Sequence, residues 1–190
     1  MDLPLRQTLF DAVEFLQSRH LRYALMGGLA VSLRGQPRLT ADVDIVIAAD
    51  LERALELARN LTRSPFRALF DEVEDVIVTS FLLPLRHRTT NVKVDIAIGM
   101  TGFEHEVVAR AKTLLVGDCN IAVASAEDLL IMKVLAGRPQ DEQDLQGLVV
   151  VQGETLDWDY CLQMAANLGE AIGQDLASRV RTLRESQDIG

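Results

Sequence analysis

Two carboxylates stand two positions apart in Asp42-Val43-Asp44, and the three residues that follow, Ile45-Val46-Ile47, are wholly apolar. Side chains two apart on an extended strand project from the same face, so both acids reach towards one point. Adjacent anions at that spacing suit a hard divalent cation. A solvated turn is the plain alternative for any Asp-x-Asp. Aspartate is depleted in strands, however, and an unpaired carboxylate on a central strand costs several kcal/mol, so the apolar context points to a site.

Asp95 repeats the anomaly in Val92-Lys93-Val94-Asp95-Ile96-Ala97-Ile98, where Lys93 shares its face and is the ordinary ion-pair partner. If the two strands are neighbours, three carboxylates converge on one edge. That arrangement suits a two-metal phosphoryl-transfer centre, in which ions about 4 Å apart clamp the attacking and leaving oxygens. Gly27-Gly28 supplies the complement: a strand, two glycines and a helix start offer backbone N–H groups and a positive dipole end to a phosphate. A tight turn is the competing reading. Neither GxxxxGK[ST] nor GxGxxG is present, which argues against a P-loop or a dinucleotide fold.

The elements that must hold these residues are legible from periodicity. Leu5, Leu9, Val13 and Leu16 behind Pro4 predict a helix over 4–19, and Tyr23–Met26 a short buried strand. A brief helix over 29–33 ends at Gly35-Gln36-Pro37, a strand spans 40–48, and Asp50 caps a further helix. An acidic turn at 71–75 precedes two antiparallel strands, 76–83 and 91–98, joined across 84–90. A helix over 103–112 leads into a hairpin about Gly117-Asp118, and Ser125 caps a helix running to Ala136. After the break at Gly137-Arg138-Pro139 the chain reads as helical over 140–151, 157–168 and 174–185. The fold class is therefore α/β, a mixed sheet flanked by helices and followed by a C-terminal helical region. The expected division is 1–124 and 125–190.

In this order the motifs resemble a known superfamily. Met26-Gly27-Gly28 followed by Leu39-Thr40-Ala41-Asp42-Val43-Asp44-Ile45 is similar to the hG[GS] and hDhDh signature of polymerase-beta-like nucleotidyltransferases, with Asp95 matching their third carboxylate. The segments 38–42 and 127–141 resemble minimal nucleotidyltransferases, including toxins of type IV toxin-antitoxin (abortive-infection) systems. The Gly-Gly segment is also similar to that of aminoglycoside adenylyltransferases. The resemblance spans roughly residues 20–150. It implies a nucleotidyltransferase-type sheet and Mg2+-dependent transfer of an NMP from an NTP such as ATP to a hydroxyl, with pyrophosphate released.

By that resemblance Asp42 and Asp44 hold two Mg2+ ions, while Asp95 completes the second site and acts as, or orients, the general base. Gly27 and Gly28 contact the triphosphate, with Arg38 and Thr40 among the nucleotide-binding residues. Many members carry Ser where Gly28 stands, so one side-chain phosphate contact is missing here. Lys133 matches a helical lysine near the nucleotide phosphates, with a solvated helix residue as the alternative, and a downstream acid matches Asp141 or Asp144. Arg138 reads as part of that segment or as a helix C-terminal charge. The acceptor stays open between tRNA or other RNA, with an antitoxin partner implied, a small antibiotic, and a protein side chain. A catalytically silent nucleotide-binding module and a metal-dependent phosphatase are the rival readings.

Composition bounds the rest. The 190 residues carry 19 basic and 28 acidic side chains, and ten acids against three bases fall in 141–190, so a chain-wide electrostatic grip on nucleic acid is excluded. A local basic patch from Arg34, Arg38, Arg86 and Arg88 is not. Lysine is scarce, three against 16 arginines, which makes each lysine informative. No apolar run approaches the roughly 18 residues of a membrane span, and the N-terminus lacks a signal-peptide pattern, so a cytoplasmic protein is expected. Cys119 and Cys161 read as small buried residues rather than a disulfide, and His20, His87 and His105 lack zinc-ligand spacing. Trp158 and Tyr160 read as core anchors rather than a stacking platform.

Overall fold

The computed structural model describes residues 1–100 and 102–187. Its chain forms two compact units, Met1–Leu29 with Leu39–Ala124, and Ala30–Arg38 with Ser125–Gly190. The first unit contains a mixed seven-stranded sheet in the order β3-β4-β5-β2-β1-β7-β6. Its strands are β1 (Tyr23–Met26), β2 (Asp42–Ile47), β3 (Phe66–Ala68), β4 (Leu82–His87), β5 (Lys93–Ile98), β6 (Lys112–Val116) and β7 (Cys119–Val123). The β1–β7 and β2–β5 pairs are parallel and the other four antiparallel.

Helix α1 (Leu3–Gln17) opens on the Asp2 cap, whose side chain accepts from the Leu5 N–H, and carries Pro4 in its first turn. Its apolar stripe buries Leu9 and Leu16 completely. Each such side chain contributes about 1.5–3 kcal/mol of burial. Helix α3 (Leu51–Arg59) starts at Asp50, whose carboxylate accepts from the Arg53 N–H at 2.8 Å, and α5 is Gly102–Arg110. His87 is buried, with Nε2 2.8 Å from the Asp11 carboxylate and Nδ1 accepting from the Thr90 N–H at 3.0 Å. That tautomer ties the β4–β5 turn to α1.

Residues 73–80 correct the sequence reading. The expected strand over 76–83 is helix α4 (Val73–Ser80), and the strand itself begins at Leu82 and runs through Pro84. The β-branched run of α4 is tolerated because Val73 and Ile77, four apart, are buried on one face, and Glu74 pairs with Arg59 of α3. Tertiary burial overrides local propensity there. Phe81 stops the helix in the left-handed region at φ 52°, its N–H bonded to the Ile77 carbonyl. Pro84 fits within the sheet because β3 pairs only Leu85–His87 of β4, so the missing N–H falls past the end of that ladder. The three-residue strand β3 was not foreseen.

The second unit is helical. The cap at Ser125 is present: its Oγ accepts from the Asp128 N–H at 3.1 Å at the start of α6 (Ala126–Ala136). Gly137, at φ 62°, closes α6 in the left-handed conformation, and Pro139 opens α7 (Pro139–Gln152). Helices α8 (Trp158–Ile172) and α9 (Leu176–Gln187) complete the unit. Gly169, expected at a break, lies inside α8, where a Cβ would meet the Gln174 carbonyl oxygen at 2.4 Å. Trp158 is a buried anchor donating to the Gly153 carbonyl at 3.0 Å, and the Tyr160 hydroxyl donates to buried Asp128 at 2.7 Å. Cys161 is buried, whereas Cys119 sits half-buried at the β6–β7 turn. Helix α2 (Gly27–Arg34) starts in the first unit and ends in the second. Its end is held there by Gln152, whose amide donates to the Arg34 carbonyl at 2.8 Å, and by Gly35 packed on the Gly147 backbone. Among the described residues no helix is long and apolar enough to cross a membrane.

Candidate active site

The acidic edge is built by three consecutive decisions of the chain. Strand β1 ends at Met26, which lies opposite Asp44 in the antiparallel β1–β2 ladder. Gly27 then turns directly into α2 with φ 66°. A Cβ at Gly27 would lie 2.0 Å from Asp44 Oδ2 and 2.6 Å from its Cγ. Glycine is required there twice, by the left-handed backbone and by the carboxylate that fills the place of a side chain. Gly28, the next residue, is buried in the first turn of α2.

Strand β5 supplies the third acid. The parallel β2–β5 register sets Asp44 directly beside Asp95 and Asp42 beside Lys93. Residues paired this way share a face at a strand spacing of about 4.8 Å, so the two carboxylates are neighbours, with Asp42 one repeat further along β2. Asp42 is held by Thr40, whose hydroxyl donates to its Oδ1 at 3.1 Å. Lys93 donates to Asp95 Oδ2 at 2.6 Å. The other oxygen, Asp95 Oδ1, is buried without a hydrogen-bond partner, and among the described residues no other buried side-chain nitrogen or oxygen is left so. An orphaned carboxylate oxygen costs roughly 1–3 kcal/mol or more, which a bound water, an ion or a donor from a ligand would relieve.

Arg38 and Lys133 belong to the second unit, where they meet the two acids between which the sequence left a choice. Lys133 is buried, with its ammonium 2.9 Å from Asp141 and 2.8 Å from Asp144. It is not a solvated helix residue. Arg38 binds Asp144 with both Nε and Nη2, at 2.5 and 3.0 Å. Arg138 caps α7: its N–H and its guanidinium donate to Asp141, at 3.0 Å from N and 2.9 Å from Nε. Burial pushes the Asp141 carboxyl up, but the hydrogen bonds from Arg138 and Lys133 outweigh it and hold its pKa down at about 2. The pairing of one lysine with both acids was out of reach of the sequence, although the i, i+3 spacing of Asp141 and Asp144 puts them on one helix face.

Among the described residues no three Asp, Glu, His or Cys side chains converge as a ready-made metal cage. Against this geometry, a family model described as a nucleotidyltransferase of unknown function (DUF6036) matches residues 7–185. The chain belongs to that family. As a member of this nucleotidyltransferase family it shares its fold with solved structures of low identity. An antigenic nucleotidyltransferase-like protein from Paracoccidioides brasiliensis is 20% identical, with a TM-score of 0.57 over 95% of this chain and 94% of that one. The antibiotic-resistance factor ANT(2'')-Ia is 12% identical, with a TM-score of 0.58 over 98% and 92%. The lincosamide antibiotic adenylyltransferase LnuA, in its lincomycin-bound form, is 15% identical, with a TM-score of 0.55 over 76% and 96%. No curated protein is significantly similar to this chain in sequence.

Proposed function

We propose that the protein is a Mg2+-dependent nucleotidyltransferase that moves an NMP unit from an NTP to a hydroxyl acceptor and releases pyrophosphate. The observation that carries this reading is the Asp44–Asp95 pair, side by side in register with Asp95 Oδ1 buried and unpartnered. The donors fit the ion: Mg2+ takes oxygen ligands and is typically held by one or two carboxylates plus substrate phosphates rather than by an all-protein cage. Asp42, Asp44 and Asp95 would hold it, two ions in the full arrangement. Bound Mg2+ supplies charge neutralisation on the phosphates and a clamp for the attacking and leaving oxygens.

The chain's own residues do the rest. Gly27 fixes the Asp44 carboxylate against the start of α2, and Thr40 orients Asp42. Asp95 Oδ1 accepts, or orients, the proton of the acceptor hydroxyl, while Lys93 holds Oδ2. The first turn of α2 at Gly27 and Gly28 presents its positive end to the triphosphate. The nucleotide contacts assigned to Arg38 and Lys133 are part of this proposal, and variants that fold yet bind NTP unchanged would remove them from it.

Acceptor identity divides two versions. The segments 38–42 and 127–141 support an RNA end, in a toxin-like enzyme with an antitoxin partner. The fold shared with adenylyltransferases acting on antibiotics supports a small molecule. Incubation with the four NTPs and Mg2+, in separate arms with bulk tRNA, tobramycin and lincomycin, followed by mass spectrometry, should show an acceptor heavier by one NMP. Asp44→Asn should lose that activity by about a thousandfold or more and still melt, in EDTA, at or above the wild-type temperature. Full transfer by Asp44→Asn would overturn the proposal, as would the absence of any adduct or pyrophosphate.

A further inference from the structure

A cavity lies at the other end of the strands that carry the acids. Asp44 sits opposite Met26, where β1 ends, whereas Ile47 pairs with Tyr23, where β1 begins. Beyond that Tyr23–Ile47 end, the segment after α1 (Ser18, Arg19 and Leu21), helix α3 and the short helix at Leu61–Arg63 line an open hollow of about 530 Å3. Ligand pockets typically span roughly 300–1,000 Å3, so a mononucleotide fits.

Its lining is cationic in a chain of formal charge -9. Arg19, Arg53 and Arg63 face it against one acid, Glu56, and that acid is already paired with Arg53. Arg19 and Arg63 have no carboxylate partner among the described residues. Arg19 is also held in place: its guanidinium stacks 4.0 Å above the Phe15 ring and donates to the Phe15 carbonyl at 3.0 Å. Arg53 braces the same corner by donating to the Arg19 carbonyl at 3.0 Å. Burial and the neighbouring Arg53 both push the Arg19 pKa down, the mark of positive charge that an anion would relieve. Ser18, Asn60 and Thr62 add neutral hydrogen-bonding groups. An adjoining hollow of about 230 Å3 shares Arg19 and Arg63 but is bounded by Asp11 and Glu14, which confines an anion to the Arg53 side.

We propose that this arginine-lined cavity binds the phosphate of a nucleotide-sized ligand, at a site separate from the Asp42, Asp44 and Asp95 edge. Preorganised guanidinium forks suit a phosphate dianion in a way that scattered lysines do not. The assignment is independent of the transfer reaction.

Calorimetric titration of the full chain with AMP, and in parallel with adenosine, tests it in EDTA. AMP should bind wild type and Asp44→Asn alike, and adenosine should not bind. Arg63→Glu, at an exposed position, should weaken AMP at least about tenfold, the scale of a lost charge-assisted hydrogen bond. Arg67→Glu, the same charge change outside the cavity, should leave it unaltered. Four results would overturn the proposal: no AMP binding in wild type, equal binding of adenosine, affinity retained in Arg63→Glu, or affinity lost in Asp44→Asn.

Discussion

Two clusters of aspartates in this molecule are built from the same residue types and balanced in different ways. In the second unit Lys133, Arg38 and Arg138 meet Asp141 and Asp144, and both buried carboxylates are fully engaged. On the sheet edge Asp42, Asp44 and Asp95 share a face with a single ammonium, Lys93, and one buried oxygen is left over. A satisfied cluster is a fastening: it joins α6, α7 and the segment after α2. A cluster of like charges carries electrostatic repulsion that an added cation or donor would lower. The difference separates acids that fasten helices from the acids to which the proposed function assigns the ion, even though both sets are buried or half-buried aspartates.

Removing the lysine of the satisfied cluster is the most damaging way to test this contrast. Lys133→Met should lower stability in urea by about 1–3 kcal/mol, since Asp141 and Asp144 lose their shared ammonium and keep only Arg138 and Arg38, and Lys133→Met with Asp144→Asn should recover part of the loss. A loss below about 1 kcal/mol would mean that the cluster is not a fastening. Acid should act on the same place. Asp141 has its folded pKa lowered from 3.8 to about 2. The unfolded chain therefore takes up the proton first, and the stabilisation, about 2 kcal/mol, is complete above pH 3.8 and lost as pH falls towards 2. Melting temperatures between pH 5 and 2 should drop more steeply for wild type than for Asp141→Asn.

On the acidic edge the expected stability effects are smaller and the functional ones larger. Gly27→Ala should cost about 1–2 kcal/mol for the left-handed backbone and should displace Asp44, so Mn2+ binding and transfer should fall together. Unchanged Mn2+ affinity would show that the Gly27–Asp44 contact is incidental. Lys93→Met should tighten Mn2+ by about tenfold, measured by electron paramagnetic resonance, because the ammonium no longer competes for Asp95 Oδ2. Equal affinity in both proteins would make Lys93 a bystander.

How much of this was legible in the sequence depends on the range of the interaction. The strand with Asp42 and Asp44 on one face, the Ser125 cap and the stop at Gly137-Arg138-Pro139 follow from contacts within a few residues, where period and capping chemistry act directly. The short strand β3 and the helix at 73–80 were not legible. A β-branched run is ambiguous until a partner surface chooses its face, and burial of Val73 and Ile77 made that choice.

The pairing of Asp44 with Asp95 needed strand order, which no local pattern contains, although the isolated acid in an apolar strand pointed to it. The sharing of Lys133 between Asp141 and Asp144 arises when the consecutive helices α6 and α7 pack on one another, and the recruitment of Arg38 to Asp144 joins residues 106 positions apart. Sequence alone determined which residues carry charge into apolar surroundings, because that is a matter of residue type and spacing. Tertiary structure alone decided how those charges are paired across the fold, as when Arg38 reaches Asp144, because pairing takes a partner within about 3 Å and sequence distance does not tell which groups come that close.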